Sequence, residues 1–427
     1  MELDVKNRGV RWLLVVLGIV FFLAASAWIA RAYVASELAD NLSLKNLELA
    51  VKLDPHDAEY QLKLGRLYEY SMTEAQPQQA LAHLRRATEL SPYNPEGWLE
   101  LGGALEFQGK IPEAEACLRR ADSLAPQIPA YQWPLANFFL LQGNIDEAFR
   151  HFRVVLAGTS QYDQIVFRTA WKASDNAEKI LDELIPPSIP TEFSYLDYLL
   201  AQQRLTEAQA VWKRIVSGSE KFNPQQSSAY IEALINNRRP EEAYEAWSDL
   251  GRKGLVPSAL PRSDQDLMTN GDFEDEMVNM GFGWRVVAAK GVYAGLETTT
   301  YHSPNHALLV QFTGKQNLDY GQVIQYVKVL PGRAYRLQAF MKTEGITTDS
   351  GPRLEVVDPY SQAAVDLLTE NMTGNSETWI SVRVDFKTGL QTGLVLVRLR
   401  RLPSQKLDNQ ISGRVWLDDV RLTPLSH

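Results

Sequence analysis

The chain of 427 residues contains one cysteine, Cys117. No intramolecular disulfide can form, and a zinc site built on several thiolates is excluded. Histidine is scarce as well, with six in all. His56, His83 and His151 are scattered without metal-ligand spacing, and Pro304 between His302 and His306 breaks the helix that a four-residue ligand spacing requires. An excess of positive charge is also missing: 43 Lys plus Arg stand against 52 Asp plus Glu, a formal net charge of -9. Such a chain repels a phosphate backbone, which excludes nucleic acid as a main partner. No Ser/His/Asp or Cys/His pairing, Gly-rich phosphate loop or two-carboxylate cleft is recognisable, so the sequence predicts no enzyme. What is present is ordinary globular material, 45% hydrophobic and 22% charged, which excludes a disordered or collagen-like chain. The length exceeds one domain of about 100 to 200 residues.

Charge is absent throughout Trp12–Ala30, WLLVVLGIVFFLAASAWIA. As a helix this run spans about 28 Å, close to the roughly 30 Å hydrocarbon thickness of a bilayer. Lys6, Arg8 and Arg11 precede it, whereas Arg31 is followed by Glu37 and Asp40. The positive-inside rule then predicts a cytoplasmic leader, 1–11, a transmembrane anchor, 12–30, and an extracytoplasmic remainder. The competing reading is a signal peptide cleaved near Ala25-Ser26-Ala27, against which the run is longer than the usual 7 to 15 residue signal core of about that range.

Beyond the anchor the chain repeats itself. Ala80, Ala114 and Ala148 recur at a spacing of 34, each opening an apolar helical stripe, and Pro92 and Pro126 close two of them. Leu64-Gly65 with Tyr68, Leu101-Gly102 with Leu105, and Leu135-Ala136 with Phe139 recur in the same phase. These residues resemble the tetratricopeptide repeat family, most closely through Trp98, Leu101, Gly102, Ala114, Leu118, Ala121 and Pro126. An earlier half-repeat, Ser43, Leu47, Ala50 and Pro55, lacks a first helix of its own unless the end of the membrane segment supplies it. The pattern fades over 161–190 and returns with Ala208, Trp212, Ala243 and Trp247, without the Leu-Gly pair. The resemblance implies a solenoid over 31–250 with a concave groove for a protein partner. The aromatic residues and Cys117 are expected to pack in the repeat core.

Two glycines and two prolines in GRKGLVPSALPRSD mark a linker, 251–263. Period-two alternation follows, clearest in WISVRVDFKTG, and many short strands with Gly and Pro turns predict an all-β sandwich over 264–427. The ordered motifs NGDFE (270–274), Gly283-Trp284, YHSPNHALLV, VLPGRAYRLQAFMKTEG and VWLDDVRL resemble the jelly-roll carbohydrate-binding modules of xylanases, which have a galactose-binding-like fold. That resemblance implies a structural calcium held by Glu274, Asp418 and Asp419, with carbonyls of the Asn270-Gly271 turn completing the shell. A hydrogen-bonded acidic pair is the alternative. It also suggests a sugar face, for which Tyr293, Tyr301, Tyr320, Gln325, Tyr326, Arg336, Gln338 and Tyr360 supply stacking rings and hydrogen-bonding groups. For most of these aromatics packing in the core is the stronger reading.

The expected architecture is multidomain: a single transmembrane helix, an all-α solenoid and an all-β jelly roll. The corresponding function is a scaffold of the bacterial inner membrane, single-pass, N-terminus cytoplasmic and bulk periplasmic. It would hold a protein partner in its groove and a polysaccharide on its sandwich, in exopolysaccharide or cell-envelope assembly. The alternative is an envelope scaffold that docks proteins alone and whose sandwich binds no sugar.

Overall fold

The computed structural model describes residues 8–41, 43–71, 75–256, 259, 263 and 265–425. Lys6 and most of the leader, and residues 257, 258 and 260–262 of the expected linker, lie outside them. The chain forms two compact units, residues 1–191 and 192–427. The division falls inside a helix, ahead of the linker read from sequence.

The first unit begins with α1 (Arg8–Asp40), long and apolar enough to cross a membrane and exposed over its apolar stretch. Its last turns do something else. Ala35 and Ala39 are buried, and Ala39 packs with Leu47 and Ala50 of α2 (Leu44–Leu53) and with Leu64 and Tyr68 of α3 (Ala58–Tyr70). The end of α1 is thus the first helix of the half-repeat, and small side chains let α2 approach it closely. Helices α3 and α4 (Pro77–Leu90), α5 (Pro95–Phe107) and α6 (Ile111–Leu124), and α7 (Pro129–Leu141) and α8 (Ile145–Gly158) form three successive pairs. The helix starts are encoded locally. Asp57 accepts from the amides of Glu59 and Tyr60, Asn94 from Glu96 and Asn144 from Glu147, while Pro77, Pro95 and Pro129 sit at first-turn positions that need no amide donor.

Each pair closes over small residues. A Cβ on Gly65 would lie 2.7 Å from Leu84 Cγ, and one on Gly102 2.8 Å from the Leu118 side chain. After α8 come α9 (Asp163–Ala173) and α10 (Ala177–Lys179), the latter running into a π-turn at Ile180–Leu184. Helix α11 (Ile189–Ala201) crosses into the second unit.

In the second unit α11 is followed by α12 (Leu205–Ser217), α13 (Ser228–Asn236) and α14 (Pro240–Arg252). Here the repeat persists although its Leu-Gly signature does not. The amides of Lys110, Asn144, Arg204 and Arg239 each bond the carbonyl five residues back, on Leu105, Phe139, Leu199 and Leu234. The left-handed residue before each is Gly109 and Gly143 in the first unit but Gln203 and Arg238 in the second. One turn geometry serves all four, and only its residue type drifts.

The remainder is a sandwich of two antiparallel sheets. One runs β1 (Arg285–Val286), β4 (Tyr320–Lys328), β9 (Leu394–Arg401), β6 (Arg353–Val357), β7 (Asp366–Leu368). The other runs β2 (Val292–Glu297), β3 (Ala307–Thr313), β10 (Ser412–Pro424), β5 (Ala334–Glu344), β8 (Ile380–Lys387). Alternate residues of the two inner faces, among them Val323, Leu337, Val397 and Leu417, form one core with Phe273 and Trp284.

Candidate binding surfaces

Helices α3, α5 and α7, the first helices of successive pairs, end on Tyr70, Phe107 and Leu141. These three side chains are 66%, 78% and 76% exposed. They hold one position in the repeat, since Phe107 and Leu141 are 34 residues apart and Tyr70 precedes Phe107 by the same 37 residues that separate Leu64-Gly65 from Leu101-Gly102. Elsewhere on these helices apolar groups such as Leu64, Leu101 and Leu135 are buried.

Carboxylates accompany the row. Arg66 pairs with Glu96 at 2.6 Å and Glu100 at 2.7 Å, and the Tyr70 hydroxyl donates to Glu100 Oε2 at 3.2 Å. Burial and then the Glu100 charge push the Glu69 carboxyl up, and its Oε2 is buried without a hydrogen-bond partner. Burial likewise pushes Glu106 up, and burial followed by Glu100 pushes the Tyr70 hydroxyl up to about 12.

In the sandwich, the acidic residues expected to share calcium are committed to other partners. Asp418 is fully buried, and its carboxylate accepts from the amides of His302, Ser303 and Asp419 and from the Ser303 hydroxyl, at 2.7 to 2.8 Å. Burial pushes this carboxyl up, opposed by those donors. Asp419 pairs with His302 at 2.6 Å and Arg421 at 3.2 Å. Glu274 accepts from the His306 amide at 3.0 Å and the Asn305 amide group at 3.2 Å.

The turn carbonyls are engaged too: Asn270 O accepts from the Trp284 indole and Gly271 O from the Val420 amide. Among the described residues no three His, Cys, Asp or Glu side chains converge as a metal would need. Two donors on each oxygen fill the lone-pair sites of the Asp418 carboxylate and leave none for a cation, so the residues as arranged do not fit the shared calcium shell. They fit the alternative, hydrogen-bonded acids: Asp418 and Asp419 tie the 302–306 loop to β10, and Glu274 ties it to the 270–274 turn. Gly271 is required at this clamp, because a Cβ there would lie 2.0 Å from Val420 O.

The eight residues proposed for a sugar face do not form one. Tyr320 and Gln325 point into the sandwich, Tyr320 in its core and Gln325 bonding Thr269. Arg336 makes a two-pronged ion pair with Asp385 and Gln338 bonds Ser381, both on the sheet that contains β5 and β8. Tyr293 and Tyr301 are exposed, on β2 and in the loop before β3.

Tyr326 and Tyr360 belong to the other sheet's side of the sandwich, where Tyr360 meets α13 and Tyr326 lies under Arg285, itself paired to α13. Tyr360 donates its hydroxyl to Ile235 O of α13 at 2.7 Å, and Arg238 lies over its ring. Arg285 lies 5.1 Å over Tyr326 and pairs with Glu232 at 2.6 Å. Lys328 pairs with Glu241 of α14 and lies over Tyr244. Phe282 meets Tyr244 and Trp247, and Gly281 allows this approach, since a Cβ there would lie 2.4 Å from the Trp247 ring. A cavity of about 380 Å³ remains in this seam, lined by Trp247, Asn270, Met277 and Trp284 among others. Alternation marks these side chains as outward-facing but carries no sign of what lies outside.

Residues 71–136 match the Tetratricopeptide repeat family. No curated protein matches the chain. Similar solved structures include the tailspike protein 4 enzymatically active domain of Bacteriophage CBA120, 13% identical with a TM-score of 0.27 over 38% of this chain and 21% of that one. PilF of Pseudomonas aeruginosa is 17% identical with a TM-score of 0.27 over 55% of this chain and 93% of that one. The CBM22-1 xylan-binding domain from Paenibacillus barcinonensis is 11% identical with a TM-score of 0.26 over 37% and 93%. The chain spans about a fifth of the tailspike domain, and at these scores none of the three bears on the reading of this chain.

Proposed function

We propose that the protein is a membrane-anchored scaffold without catalytic activity, whose helical repeats hold a protein partner outside the cytoplasm. The observation that carries this reading is the exposed row of Tyr70, Phe107 and Leu141, at equivalent repeat positions; Phe107 lies inside, and the other two just outside, the residues 71–136 that match the tetratricopeptide family. Three large apolar side chains left open in register are expensive in water unless something covers them. The apolar run of α1 supports anchoring, and the charges around it support a bulk facing the periplasm of a bacterial inner membrane.

The sandwich is proposed to contact a glycan of an exopolysaccharide or cell-envelope polymer, on a surface outside its seam with α13 and α14. Tyr293 and Tyr301 are the proposed ring residues that remain exposed for it. A second reading is favoured by the seam itself. With Tyr360 engaged by α13 and Tyr326 by Arg285, and with Lys328 and Phe282 against α14, the sandwich serves to cap the repeats and binds no sugar. The full chain in a neutral nanodisc, offered a panel of soluble bacterial polysaccharides, decides between them. Retention that falls with Tyr293→Ala and Tyr301→Ala supports the glycan reading, and no retention across the panel leaves the capping reading.

A further inference from the structure

On the protein-partner reading, the exposed apolar side chains of α3, α5 and α7 are the docking row, and the charges among them indicate what kind of segment fits it. Helices α5 and α7 carry no Lys or Arg. Helix α3 carries Lys63, held by Glu59 at 2.8 Å, and Arg66, which is spent on Glu96 and Glu100. Against these two cations stand Glu59, Glu69, Glu96, Glu100 and Glu106. Glu69 and Glu106 immediately precede Tyr70 and Phe107, so each of the two rings has a carboxylate next to it in the chain. Both are pushed up by burial, and neither has a basic partner within ion-pair distance among the described residues. Glu69 Oε2 is buried without a donor, so no group within the fold satisfies that oxygen.

Resting on the protein-partner reading above, we infer that this surface takes a cationic segment of another protein, with apolar side chains over Tyr70, Phe107 and Leu141 and Lys or Arg reaching Glu69 and Glu106. An acidic or purely polar segment would leave the carboxylates repelled or the apolar row wet. Neighbouring helices pack about 8 to 10 Å apart. An extended segment rising about 3.1 Å per residue would therefore bring every third side chain to successive helices.

The test uses the full chain in zwitterionic nanodiscs and three fluorescent twelve-residue peptides: Leu-Lys-Ser repeated four times, the same with Glu for Lys, and the same with Ser for Leu. The Leu-Lys-Ser peptide is expected to bind at least tenfold more tightly than either control, and less tightly as salt rises. Phe107→Ser, or the pair Glu69→Gln with Glu106→Gln, should weaken it about tenfold, whereas Glu89→Gln, at the carboxylate paired with Arg86 on α4, should not. Circular dichroism of each variant separates a lost surface from a lost fold. Equal binding of the glutamate or serine peptide, no binding of any peptide, or indifference to the groove variants in folded protein would overturn the inference. A discrete partner crosslinked from Phe107 in cells, with no preference for the cationic peptide, would overturn this inference while leaving the scaffold reading intact.

Discussion

At the scale of single residues, small side chains at helix contacts were the most legible part of the sequence. Gly102 follows Leu101 in the repeat phase, and the structure places Leu118 where its Cβ would be. Gly102→Leu should lower stability by about 1 to 3 kcal/mol, as overpacking does; thermal unfolding that left the midpoint in place would contradict the repeat packing. His151 was not legible, because nothing in a scattered histidine reveals burial. It is fully buried and stacked on Phe139; one ring nitrogen faces Gln132 Oε1 and the other Arg150, while Asp122, Glu147 and Arg119 stand around it.

Burial, and then the Arg150 charge, lowers its pKa to about 4. The ring is held neutral so that Nε2 can accept from Arg150. The unfolded ring protonates near about 6.5, so below that pH the unfolded state binds a proton that the folded state refuses. Stability from this group is therefore full above about pH 6.5 and lost as pH falls through about 4. The melting midpoint should fall across that window, and His151→Gln should flatten that part of the profile. The acidic trio makes a further case: the sequence put Glu274, Asp418 and Asp419 near one edge but not their donors, which come from the 302–306 loop. Chelation should leave the melting midpoint unchanged, and a fall on removing calcium would restore the shared ion.

At the scale of elements, periodicity located the helices and strands, and capping residues set where helices begin. The half-repeat at Ser43 could be read as incomplete, and the structure completes it with the end of α1. A chain starting at Ser43 should therefore melt lower than one starting at Arg31, because Leu47 and Ala50 lose the cover of Leu38 and Ala39. Equal midpoints would mean that α1 ends as an independent stalk. The later repeats were harder to read because Gln203 and Arg238 hold the left-handed turn positions that Gly109 and Gly143 mark earlier. Glycine is favoured there but not obligatory, so the sequence signal fades while the geometry stays. The sugar face failed for a different reason. Aromatic and amide residue types are the same whether they face a glycan, a core or a neighbouring helix, and period two separates inside from outside only.

At the scale of the whole molecule, the order of apolar helix, helical repeats and sandwich was legible from composition and period. The identity of the occupant was not, because an exposed side chain in a repeat looks like any other until its neighbours are buried. Tyr70, Phe107 and Leu141 became visible only when the helices around them closed. The central claim, that this row is where a protein partner sits, is tested most directly by placing a photo-crosslinking amino acid at Phe107 of the full chain in its own cells, with Glu89 as the control position. A discrete protein adduct is expected from position 107, lost when Tyr70 and Leu141 are changed to serine, and none from position 89. No adduct at 107, or the same adducts from both positions, would contradict it.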